Sequence, residues 1–104
     1  MQTVDLKPIR IRTVQANGGT LQPVEPLIVA VRFDASDGLY LAEIDALGIS
    51  AFAETMDMLQ AAIEDEIAAL WSWYACAPDQ TLTPAARRLK ARVRAAFREM
   101  PDAA

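Results

Sequence analysis

The apolar periodicity of this chain changes once, near Thr55, and that change fixes most of what the chain can fold into. Upstream, Leu27, Val29, Val31 and Phe33 alternate with Ile28, Ala30 and Arg32, the period of a strand with one apolar face. Asp34-Ala35-Ser36-Asp37-Gly38 reads as a hairpin loop, with Gly38 free to take a left-handed conformation. Leu39–Ile44 makes the return strand, Gly48 marks a bend, and Ile49–Glu54 makes a short third strand. Downstream of Thr55 the period becomes helical, with Leu59, Ile63, Ile67, Leu70 and Tyr74 on one stripe. Thr55 is placed as the N-cap, Asp57 favours the helix dipole, and Pro78 stops a helix running from about Met56 to about Ala77.

The flanks are less regular. Residues 8–15 alternate apolar and charged or polar side chains, as a half-buried strand does. Asn17-Gly18-Gly19 signals a turn. Between Leu21 and Pro26, Pro23 and Pro26 argue for an extended connection rather than regular structure. At the other end, Thr83 as N-cap and Pro84 at the first helical position open a second helix. Its apolar stripe is Leu89, Val93, Phe97 and Met100, and Pro101 ends it.

The expected fold is therefore α+β. An antiparallel sheet of three to four strands (a β-β-β-α meander) carries one long helix on one face, with an additional C-terminal helix. One domain spans 1–104: an N-terminal strand and extended connection over 1–26, the core over 27–78, and the C-terminal helix over 79–104. A chain of 104 residues has room for one hydrophobic core.

Composition excludes more chemistry than it suggests. The chain has no histidine and one cysteine, Cys76. Ser-His and Cys-His nucleophilic catalysis, imidazole acid–base work, His-containing zinc sites and thiolate-rich clusters all fall away. Cys76 reads as a small buried hydrophobe. No apolar run approaches the roughly 18 residues needed to cross a bilayer, and the first residues lack a signal-peptide pattern, so a cytoplasmic location is expected.

Charge is segregated. Residues 1–79 hold 4 basic side chains against 12 acidic ones, whereas residues 80–104 hold 6 basic against 2 acidic. Arg87, Lys90, Arg94 and Arg98 form a basic ridge, expected to be a solvated helix face that pairs with Asp57, Glu64 and Asp65. Trp71, Trp73 and Tyr74 are expected in the core. The two tryptophans flank the stripe on opposite sides, so at least one should meet a second element, the C-terminal helix. Asp34, Asp37, Glu43, Asp45 and Glu54 cluster around the hairpin without the Asp-x-Asp-x-Asp-Gly spacing of a calcium loop. Glu66 falls within the apolar stripe; either Arg87, Arg88 or Arg32 partners it, or it lies partly exposed at the sheet edge.

Leu39-Tyr40-Leu41-Ala42-Glu43-Ile44-Asp45-Ala46-Leu47-Gly48-Ile49 resembles the Tyr-x-Ala-Glu-x-Pro-x-Leu-Pro-Gly-Cys segment of HicB-like antitoxins. Phe52-Ala53-Glu54-Thr55-Met56-Asp57 is similar to the segment that opens the family's helix, with Thr55 at the capping threonine and Leu59–Leu70 along the amphipathic helix. The Pro-Gly-Cys turn is replaced by Leu47-Gly48-Ile49, and nothing resembles the DNA-binding domain that many full-length members carry. The resemblance implies half of a toxin-antitoxin system: a protein-binding module that neutralises a small basic RNA-cleaving toxin. An acidic body suits such a partner by steering its approach.

The alternative is a stand-alone homo-oligomer whose C-terminal helix and a tryptophan build the subunit interface. On either reading the chain is not an enzyme. No residue is assigned a catalytic, cofactor-binding or metal-ligating role, no cofactor is expected, and direct nucleic-acid or membrane binding is not expected.

Overall fold

A computed structural model describes residues 3–16 and 18–100. The fold is α+β, with two antiparallel sheets and two helices. The larger sheet holds β1 (Thr3–Ile11), β4 (Leu27–Asp34), β5 (Leu39–Ile44) and β6 (Ile49–Ala53), in the order β1-β4-β5-β6. The smaller one holds β2 (Val14–Ala16), β3 (Gly19–Pro23) and β7 (Phe97–Glu99), in the order β2-β3-β7.

The two sheets share a single long hairpin. Ala16 pairs with Gly19 across a two-residue turn in which Gly18 has φ 74°, a left-handed value that glycine takes without a Cβ penalty. Asn17, in the predicted turn, lies outside the described residues. One arm leaves the larger sheet after Ile11 and enters the smaller one at Val14. The other arm returns after Pro23 and resumes at Leu27. Pro23 and Pro26 bracket that second crossing, where missing N–H donors do the least harm to a ladder. The expected extended connection over Leu21–Pro26 is thus corrected in its first half. Leu21, Gln22 and Pro23 belong to β3 and pair with Glu99, Arg98 and Phe97.

The meander follows its periodicity. Val29 and Val31 are buried on the inner face of β4 while Ile28, Ala30 and Arg32 face outward. Gly38 (φ 68°) closes the β4–β5 turn by donating its N–H to the Asp34 carbonyl at 2.8 Å. The buried Asp34 carboxylate accepts from the Ser36 N–H at 2.9 Å. Gly48 (φ 66°) ends a 3-10 turn over Asp45–Leu47 and feeds β6.

Helix α1 (Met56–Leu70) lies across the inner face of the larger sheet. Thr55 caps it, its hydroxyl accepting from the Met58 N–H at 3.1 Å. Leu59, Ile63 and Ile67 are wholly buried, and the stripe then continues through Trp71 and Ala75 rather than Leu70 and Tyr74. Steps of four advance about 40° each on a regular α-helix, so such a stripe would rotate off the core. Trp71–Ala75 instead forms a π-helical turn, in which the Cys76 N–H reaches five residues back to the Trp71 carbonyl at 3.0 Å. The wider turn keeps Ala75 buried.

Helix α2 (Pro84–Ala96) starts as predicted, with the Thr83 hydroxyl accepting from the Ala86 N–H at 3.1 Å and Pro84 in the first turn. It ends earlier than predicted. Phe97, Arg98 and Glu99 leave the helix and pair with the free side of β3, which satisfies backbone groups that a prolonged helix would leave stranded. Phe97 stays buried, Met100 is exposed, and the predicted stop at Pro101 lies outside the described residues.

Candidate functional site

The basic ridge does not reach the acidic side chains of α1. Arg87 donates through Nε to the Asp79 carbonyl (3.0 Å), and Lys90 through Nζ to the Ala77 carbonyl (2.7 Å). Arg94 donates through Nη1 to the Ala75 carbonyl (2.8 Å), its guanidinium 5.6 Å from the Trp71 ring centroid. These cations satisfy the carbonyls that trail from the end of the first helix, where the dipole favours positive charge. Lys90 also binds Asp79 Oδ1 at 2.8 Å. The hydrogen bond and charge of Lys90 hold the Asp79 carboxyl below its ordinary range. Arg98, expected on the ridge, sits on β7 and donates to Gln22 Oε1 on β3.

The acidic surface is consequently left open. Among the described residues the ion pairs are Arg32–Glu43 (3.6 Å) and Lys90–Asp79. Glu54, Asp57, Asp65 and Glu66 are exposed without a cationic partner. Asp57 and Asp65 lie eight residues apart, on the side of α1 turned away from the buried stripe, with the half-exposed Met58 beside them. Glu66, one of the two sequence readings for which required a partner arginine, is on the exposed flank. Glu64 accepts from Gln60 Nε2 at 3.1 Å, one turn earlier on the same helix.

The hairpin carboxylates are not brought together. Asp34 is spent on its own turn, Glu43 on Arg32, and Asp45 opens the 3-10 turn. Among the described residues no group of three or more acidic or cysteine side chains converges on a point that could hold a metal ion. No helix among them is long and apolar enough to cross a membrane.

One tryptophan departs from the sequence reading and the other follows it. Trp71 is buried and meets Arg94 of α2, as expected, whereas Trp73 is 70% exposed, not in the core. The signal was present: Trp71 lies four residues after Ile67, and Trp73 two further round. Cys76, expected buried, is exposed just beyond the π-helical turn. Phe52 is 66% exposed on the outer face of β6, as strict alternation with the buried Ala51 and Ala53 requires.

A cleft of about 490 Å³ lies between the β3–β4 connection and α2, walled by Val24, Pro26, Leu47 and Phe97. At its rim, Arg92 Nε donates to the Ala46 carbonyl at 3.0 Å, tying α2 to the 3-10 turn. No protein-family model matches this chain, and neither a curated protein nor a solved structure matches it.

Proposed function

We propose that this chain is a HicB-like, antitoxin-type binding module of the cytoplasm, which neutralises a small basic RNA-cleaving toxin through the acidic face of α1. The observation that carries this reading is where the chain's own cations go. Arg87, Lys90 and Arg94 turn onto backbone carbonyls, leaving Glu54, Asp57, Asp65 and Glu66 unneutralised at the surface. Such a surface attracts a basic protein and speeds its encounter. Met58, exposed beside Asp57, gives it an adaptable apolar contact.

The test is capture from the native cell extract by the tagged chain, followed by an RNA-cleavage assay on the captured protein with and without the chain. A stoichiometric small basic protein whose cleavage is suppressed in the complex, and whose binding is lost with Asp57→Lys/Asp65→Lys, supports the reading. Capture of no basic protein, or cleavage undiminished in the complex, sinks it.

A further inference from the structure

The four sheet edges of the molecule are not protected alike. An edge strand exposes unpaired N–H and C=O groups, and folded proteins blunt such edges with charge, proline, bulges or shortness. In the larger sheet, β1 carries a register break between Leu6 and Ile9, spanned by the exposed Lys7 and Pro8, and Arg10 follows. In the smaller sheet, β2 and β7 are edges of three residues each. Strand β6 has none of these devices. Ile49-Ser50-Ala51-Phe52-Ala53 contains no charge and no proline, and pairs with β5 without a bulge over five residues. Among the described residues no other strand pairs with its far side.

We infer that the free edge of β6 pairs with the same edge of a second copy, making a two-fold dimer with one continuous eight-stranded sheet. The occupant follows from self-complementarity. Antiparallel pairing of a strand with itself is isologous, so every contact away from the axis occurs twice. With the axis at Ala51, Ser50 of each copy stands opposite Phe52 of the other, and Ile49 opposite Ala53. Glu54 then lies across from Gly48, so no like charges face each other. The two Phe52 rings become diagonal neighbours on the outer face, about 7–8 Å apart and within aromatic reach. That covers a large aromatic side chain which the single chain leaves 66% exposed.

Apart from Glu54 at the end of the seam, this surface is separate from the acidic face of α1, and it does not depend on a toxin partner. Salt tells the two apart. Each copy carries net charge −4, so screening strengthens self-association, while it weakens attraction to a basic protein.

Sedimentation velocity of the purified chain, across concentration and at low and high salt, is the test. The expected result is a monomer–dimer equilibrium shifted toward dimer by salt. Phe52→Lys weakens it about tenfold or more, with far-UV circular dichroism unchanged. Should that variant not fold, Ser50→Cys and Phe52→Cys chains, both carrying Cys76→Ser, are mixed and oxidised. Directly opposed positions lie within disulfide reach, so the mixture cross-links in preference to either chain alone. A monomer under all conditions overturns the inference. So does a dimer that survives Phe52→Lys, or cross-linking with no preference for the mixed pair.

Discussion

The two helices are held by different physics. Helix α1 buries Leu59, Ile63 and Ile67 completely against the larger sheet. Helix α2 fully buries one side chain, Val93, with Leu89 and Ala96 packed partly buried on the core, and it adds cations that reach across to carbonyls of the preceding segment and of the 3-10 turn. The apolar contact of α1 is non-directional and survives small shifts. The polar clamp of α2 depends on the positions of specific carbonyl oxygens, and so on the π-helical turn that presents the Ala75 carbonyl. A short helix with a narrow apolar stripe is thus fixed in place by hydrogen bonds that also dispose of its charge.

Four measurements sharpen or break this comparison. The largest effects belong to the shared core. Phe97→Ala should cost about 3–5 kcal/mol and Ile63→Ala about 2–5 kcal/mol in urea unfolding, since both side chains are buried. A much smaller loss for Phe97→Ala would show that β7 and the end of α2 are not docked on the core. Next comes the clamp: Arg94→Ala should cost about 1–2 kcal/mol, combining a charge-assisted hydrogen bond with the Trp71 contact. It should lower hydrogen-exchange protection in α2 more than in α1, and equal loss in both helices would break the contrast. Thr55→Ala and Thr83→Ala should each cost about 1 kcal/mol as lost N-caps, readable as shifts in melting temperature. The smallest effect concerns acid. Because Lys90 lowers the Asp79 carboxyl, the pair's contribution is present above the unfolded carboxylate range. It fades as pH falls through the lowered value. Asp79→Asn should flatten that part of the stability profile, and an unchanged profile would remove the ion pair from the account.

The sequence made the local parts legible and hid the distant ones. Strands β4, β5 and β6, the turns at Gly38 and Gly48, and both threonine caps depend on neighbours within a few residues, and each shows in spacing or turn chemistry. β3 was obscured because Pro23 and Pro26 suggest irregularity, while the partner that makes it a strand lies far along the chain. Phe97 fits the four-residue spacing of Leu89 and Val93 so well that helix was the natural reading. Only the open side of β3 decides otherwise. Acidity along α1 was visible in composition, but the destination of the basic ridge was not, because backbone carbonyls leave no mark in a sequence.

The pairing of β7 with β3 also sets an order of events. Arg98 and Gln22, which bridge those strands, are 76 residues apart. Closing a loop of that length is entropically slow, and the segment that closes it follows every other described element in chain order. The hairpin, the meander and α1 can form while synthesis continues, whereas the smaller sheet must wait with one side of β3 unfilled. A nascent chain stalled before residue 97 therefore presents an open strand, and a chain truncated there should be less soluble than one that keeps β7 (Phe97–Glu99).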